Sequence, residues 1–186
     1  MTDRKESSLS YYLGGNFLKK KVIFILLAIV FLLYGYISYN QQFVSRDEII
    51  VGAKKNIPIL SEVDIDDISI VASYKKGDHY LFWLDVNDKY HDYEYLVAEF
   101  AEVKPDKYKF ICKYYAIDRG DDIRALPWED SYSFLINNEE CKTIVINPGY
   151  DSEKRIEISK YPFHYYYGGL VSDYDFFDAN GNSLKH

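Results

Sequence analysis

Cysteine is nearly absent from this chain of 186 residues: Cys112 and Cys141 are the only two. That excludes a disulfide framework of more than one bridge, and no Cys-x-x-Cys spacing exists to suggest a redox pair or zinc module. Glycine-rich phosphate loops and a Gly-x-Ser-x-Gly nucleophile turn are missing. The four histidines, His79, His91, His164 and His186, never stand four residues apart, so a helical metal pair is excluded. Basic residues are also scarce after the first 40 positions. Residues 1–40 hold Arg4, Lys5, Lys19, Lys20 and Lys21 against Asp3 and Glu6. The rest of the chain is left with 17 basic and 27 acidic residues. A segment at net -10 repels nucleic acid and anionic lipid, and it suits a basic partner or plain solubility. These absences predict no catalytic residues, no metal site and no cofactor.

One long apolar run is present. Val22 to Tyr39 reads VIFILLAIVFLLYGYISY, 18 residues without a charge. At ~1.5 Å per residue a helix of this length spans about 27 Å, close to the hydrocarbon thickness of a bilayer. A core helix would show a polar face, and this run has none. Lys19, Lys20 and Lys21 abut its start, and Tyr34, Tyr36 and Tyr39 gather at its end, where aromatic rings favour the membrane interface. Five Lys/Arg in residues 1–21 against three in 40–60 (Arg46, Lys54, Lys55) predict a cytoplasmic N-terminus and an exported C-terminal part. The rival reading is a cleaved signal peptide. Ile37-Ser38-Tyr39-Asn40-Gln41-Gln42 offers no small-x-small cleavage pattern, which favours an uncleaved anchor. The expected organisation is therefore a cytoplasmic tail at 1–21, a transmembrane helix at 22–39, a juxtamembrane linker at 40–57 and a β-rich domain at 58–186.

Within that domain, aromatic residues make up 18% of the whole chain's composition, and 20 of them are Tyr, which favours strands. Strand-like runs are expected at 80–86, 93–103, 107–117, 131–136, 141–147, 155–160 and 163–171. Lys104-Pro105-Asp106 reads as the turn of a hairpin, and residues 118–130 read as a loop. Asn180-Gly181 signals a terminal bend. Short strands at regular spacing without an amphipathic helix predict an antiparallel β-sandwich or small barrel. In residues 107–117 the two-residue period puts Tyr108, Phe110, Cys112, Tyr114 and Ala116 on one face, read as the core face. A disulfide between Cys112 and Cys141 is expected from an oxidising exterior, with two buried unpaired thiols as the alternative.

Residues 56–71, NIPILSEVDIDDISIV, resemble the SAF-type segment of pilus-assembly and flagellar-chaperone proteins in Ile57-Pro58, Val63, Asp66-Asp67 and Ile68. They depart from it in having Leu60 where the family has glycine. The resemblance covers 16 residues and nothing downstream extends it. It implies a place in an envelope assembly machine.

Two stretches are candidate partner surfaces. Tyr161 to Gly169 concentrates His164, Tyr165, Tyr166 and Tyr167, of which strand alternation must expose some. Asp118, Asp121 and Asp122 form an acidic loop; its Arg119-Gly120-Asp121 tripeptide carries no weight at this length. Asp178, Asn180 and Asn182 imitate the start of a calcium loop. Ser183 stands where the sixth-position glycine belongs, so a plain turn is the better account. The functional expectation is a membrane-anchored extracytoplasmic binding module, of immunity or inhibitor type, engaging one protein partner. An accessory subunit of an envelope or secretion machine is the alternative, and a hydrolase of envelope polymer is the third reading.

Overall fold

The computed structural model describes residues 6–40, 42–87, 95–119 and 122–184, with side chains described from residue 21 onward. Two compact units follow one another, Met1–Phe43 and Val44–His186.

The first unit is helix α1, Glu6–Asn40. Leu, Ile, Val, Phe and Ala fill its residues 22–33, so this stretch has no polar face and no core-facing stripe. Its segment Lys21–Asn40, 20 residues, is apolar and long enough to cross a membrane, and none of it is buried. Phe24, Phe31 and Leu32 are about three-quarters exposed. Lys19, Lys20 and Lys21 lie within the helix, which begins at Glu6, sixteen residues before the apolar run.

The second unit is mostly β. Its elements begin with β1 (Phe43–Val44) and the short helix α2 (Ile49–Asn56). Then come β2 (Ile68–Lys76), β3 (His79–Val86), β4 (Tyr95–Lys104) and β5 (Lys107–Tyr114), followed by β6 (Ile117–Asp118), β7 (Ile123–Trp128) and β8 (Ser131–Ile136). The last four are β9 (Thr143–Asn147), β10 (Lys154–Glu157), β11 (Phe163–Tyr167) and β12 (Asp173–Phe177). They make three antiparallel sheets: β1-β5-β4-β3-β2, β11-β8-β7-β6 and β10-β9-β12. Among the described residues none of the three closes on itself, so the expected sandwich or barrel resolves as three open sheets.

Apolar clusters join the layers. Leu81, Trp83 and Val97 of the first sheet meet Leu126, Trp128 and Leu135 of the second. The other face of the second sheet, through Ile123, Ala125, Phe134 and Ile136, meets Ile144, Ile146 and Phe176 of the third. The outer face of the first sheet carries Phe82, Leu84 and Phe100 and is covered by Ile49, Ala53, Ile57 and Leu60. Residues 44–57, expected as linker, are therefore part of the compact unit. Ile49, Ala53 and Ile57 are fully buried. The 16-residue SAF-like segment folds as two 3-10 turns, Pro58–Leu60 and Ile65–Asp67, leading into β2.

Three further expectations are corrected. Residues 118–130 are not one loop, because 123–128 is strand β7. Pro127 is tolerated there because β6 pairs only with Arg124 and Ala125, leaving the edge beside Pro127 without a ladder to break. The alternation in β5 is interrupted: Phe110 opposes Phe100 but Cys112 opposes Glu99, so Ile111 is an extra residue. Tyr108 and Phe110 thus face α2, whereas Tyr114 and Ala116 face the second sheet. Finally, Cys112 and Cys141 are both free thiols; Cys141 is buried between the second and third sheets while Cys112 sits on the first. No bridge joins them. The hairpin at Lys104-Pro105-Asp106 is as expected, with Asp106 at φ 57° accepting from the Arg46 amide at 2.9 Å.

Candidate functional site

The aromatic stretch forms β11, the outermost strand of the second sheet, paired with β8 from Phe163↔Ile136 to Tyr167↔Tyr132. Its rings do not stand free. Phe163, Tyr165 and Tyr167 lean on the cluster between the second and third sheets. Tyr166 leans on the first sheet, stacking on Tyr74 with centroids 5.2 Å apart and lying 6.1 Å from the Trp128 ring. His164 is half-buried; burial pushes its pKa below the ordinary value, so the imidazole is neutral, and its Nδ1 has no hydrogen-bond partner. Trp128 Nε1 is likewise buried without a partner.

The acidic loop lies elsewhere. Asp118 is on β6 and is paired to Arg124 at 2.8 Å. Arg119 donates to the Tyr174 hydroxyl at 2.6 and 2.9 Å. Asp122 is half-buried with φ 60°, and Asp121 lies outside the described residues. β6 and β11 are opposite edges of a four-stranded sheet, so three strand spacings, about 14 Å, separate them. The structure therefore does not bring the two predicted surfaces together.

It assembles instead a cluster that no local motif announces. Glu99 on β4 is buried (4% exposed) at the first sheet's face toward the second. His79 Nδ1 on β3, the Tyr114 hydroxyl on β5 and the Cys112 thiol, at 3.6 Å, all contact its carboxylate. Burial alone would raise Glu99, but the hydrogen bonds from Tyr114 and His79 bring it below the ordinary value. The hydrogen bond to Glu99 raises His79. Burial, reinforced by the Glu99 charge, raises Cys112, so this thiol is protonated and a poor nucleophile. Asp78 lies 3.8 Å from His79 Nε2, and Lys76 bridges to Glu129 and Asp130 across the sheets. Chemically the cluster fixes an imidazole with Nδ1 on a buried carboxylate and Nε2 outward. Its one sequence signal was a carboxylate inside the apolar run 96–101.

Among the described residues no group of three or more His, Cys, Asp or Glu is placed to hold a metal. His91 and His186 lie outside them. The Asp178 carboxylate is occupied by its own turn, accepting from the amides of Asn180 and Asn182, each at 2.8 Å. On α1, Tyr34, Tyr36 and Tyr39 are 70%, 67% and 55% exposed, and Tyr39 meets Phe43 edge-on at 4.9 Å. A second concentration of charge includes the Asp66-Asp67 pair of the SAF-like segment: Glu62, Asp64, Asp66 and Asp67 are all exposed on consecutive turns beside the exposed Ile65. Asp85, paired opposite Ser69 at the adjoining end of β2, is raised by burial.

No family model, no curated protein and no solved structure matches this chain.

Proposed function

We propose that the chain is a membrane-tethered binding module. Helix α1 crosses the cytoplasmic membrane once with residues 1–21 inside, and the β-rich unit engages a protein partner on the outer side, in the manner of an immunity protein or inhibitor. The observation that carries this reading is the segment Lys21–Asn40, uncharged and predominantly apolar from Val22 to Tyr39, with none of it buried. A helix of that kind in water would expose a long apolar surface, and insertion in a bilayer removes it. The basic residues before it support the orientation.

Binding rather than catalysis is favoured by the acid on the unit's surface. Glu62, Asp64, Asp66 and Asp67 make a carboxylate-rich ridge next to Ile65, suited to a basic, partly apolar partner. The protonated Cys112 also speaks against a Cys/His nucleophile. The test is crosslinking of the full chain in its native membrane, followed by identification of what is captured. One small basic protein recovered in stoichiometric amount is the expected result. Recovery of several components of one membrane complex would favour an accessory subunit of an assembly machine. Replacing residues 22–39 by an unrelated transmembrane helix separates the two: a tethered binder keeps working and a machine subunit does not.

A further inference from the structure

Every sheet has two edge strands whose outward backbone groups are unpaired, and soluble proteins guard them with charge, bulges, short length or a covering segment. Among the described residues, five of the six sheet edges carry such a guard. β1 and β6 are two residues long. β2 has a bulge between Ile70 and Ala72 and carries Lys75 and Lys76. β10 carries Lys154, Arg155 and Glu157. β12 is covered by the chain that follows it, through the bridge Phe177↔Ser183 and the Leu184 amide donating to the Phe176 carbonyl at 2.8 Å.

β11 is the exception. It is five residues long, its register with β8 runs without a bulge, and Phe-His-Tyr-Tyr-Tyr contains neither proline nor a formal charge. All five residues are half-exposed. Among the described residues no strand lies on its outer side.

The sequence of β11 also matches itself. If a second β11 lies antiparallel beside it on a two-fold axis through Tyr165, Phe163 faces Tyr167, His164 faces Tyr166 and Tyr165 faces its own copy. A ring stands opposite a ring at each position, the kind of cross-strand pair that stabilises a sheet. No like charges meet. The contact is isologous and closes at two copies, so it gives a dimer and not a fibre. We propose that β11 is a self-association edge: two copies of this chain pair antiparallel along Phe163–Tyr167, joining their second sheets into one continuous eight-stranded sheet. The acidic ridge at residues 62–67 lies on the turns that lead into β2 of the first sheet, so the inference stands apart from the choice of partner.

The test places single cysteines along β11 in the full chain, purified in detergent, and applies a mild oxidant. The wild-type chain with its own two thiols is the control and gives no crosslink. Tyr165→Cys is expected to crosslink to itself. Phe163→Cys alone is expected not to, because its partner position is Tyr167; a mixture of Phe163→Cys and Tyr167→Cys is expected to crosslink. No crosslink with Tyr165→Cys, or self-crosslinking by Phe163→Cys as fast as by Tyr165→Cys, overturns the proposal. Association through α1 instead would give dimers without this register pattern. Independently, Tyr165→Lys is expected to shift the sedimenting mass from two copies to one, with near-UV circular dichroism checking the fold. Phe163→Lys, at the strand end, is the second variant should the first fail to fold. A dimer that persists in a folded lysine variant also overturns it.

Discussion

On one face of the first sheet Phe82, Leu84, Ala98 and Phe100 meet Ile49, Ala53, Ile57 and Leu60 in an apolar cluster, with polar contacts such as the Arg46 guanidinium over the Phe82 ring at its rim. On the other face Leu81, Trp83 and Val97 meet Leu126, Trp128 and Leu135, but that layer is threaded with polar groups. Trp83 Nε1 donates to Ser133 Oγ at 2.7 Å, Glu99 gathers His79, Tyr114 and Cys112, and Trp128 Nε1 is left unpaired. β3 serves both layers: its even-numbered residues Phe82 and Leu84 point one way, and Leu81 and Trp83 the other. The dry face gains from area alone and tolerates any snug apolar arrangement. The wired face ties the two sheets together through Trp83 and Ser133, because this buried donor and acceptor lose more than they gained if either moves away. One layer supplies bulk stability and the other a specific alignment.

Substitutions separate the two. The largest effect is expected on the dry face. Phe100 is fully buried, with Phe82 and Phe110 edge-on at 5.8 and 5.5 Å. Phe100→Ala is expected to destabilise by about 3–5 kcal/mol, measured by urea denaturation, since it removes the ring and leaves a cavity under α2. A loss below about 1 kcal/mol would mean that α2 and its turns are not held by this cluster. On the wired face Trp83→Phe keeps most of the ring but strands the Ser133 hydroxyl, which is fully buried. The expected loss is about 1–3 kcal/mol. Adding Ser133→Ala should recover part of it, because an apolar pair at that site has no unpaired group. Recovery on double substitution has no counterpart on the dry face, and its absence would put the two faces on the same footing.

Acidity tests the wired face without altering its shape. The hydrogen bond to Glu99 raises the His79 pKa above 6.5; burial works to raise Glu99, but the hydrogen bonds from Tyr114 and His79 lower its pKa below 4.5. The His79 contribution is full below 6.5 and is lost as pH rises through its folded value. The Glu99 contribution is full above 4.5 and is lost as pH falls through its folded value. Thermal stability should therefore be flat between these limits and decline on both sides, and His79→Gln should remove the alkaline decline. A variant that keeps the wild-type alkaline slope would show that the pair contributes nothing to that slope.

The same contrast explains what was legible in the sequence. The apolar part of α1 was, because eighteen uncharged residues in a row mark an apolar helix; its first sixteen residues, 6–21, read as a tail, were not. The Lys104–Asp106 hairpin was, because Pro and Asp dictate its backbone locally. β3 was found as a strand, but its role between two layers was hidden: with both faces buried, residues 81–84 show no alternation. β5 alternated and still misled, since one extra residue at Ile111 turns Cys112 and Tyr114 to the opposite face. α2 is too short, and too interrupted by Gly52, for its buried residues to show a helical period. The candidate surfaces fared the same way. His164–Tyr167 stood out by composition, yet which rings turn inward depends on what covers the strand. Glu99 meets Tyr114 and His79 only once three strands are in register, and no window of sequence contains that information.

The smallest expected effect lies at the solvent end of the wired layer. Lys76 pairs with Glu129 at 2.7 Å and with Asp130, tying β2 to the β7–β8 turn. By drawing alone this contact resembles the Glu99 cluster, since both bridge separate strands through charge. Glu129 and Asp130 are more than half exposed, however, so water and salt screen the attraction and compete for the same atoms. Lys76→Ala should therefore leave the urea midpoint within the scatter of repeat measurements, and adding salt should change the wild type and the variant alike. His79→Gln, only three residues away, should move the midpoint where Lys76→Ala does not. If the two variants instead behave the same, burial of Glu99 is not what gives the cluster its effect, and the distinction between a wired layer and an ordinary charged surface fails at this end.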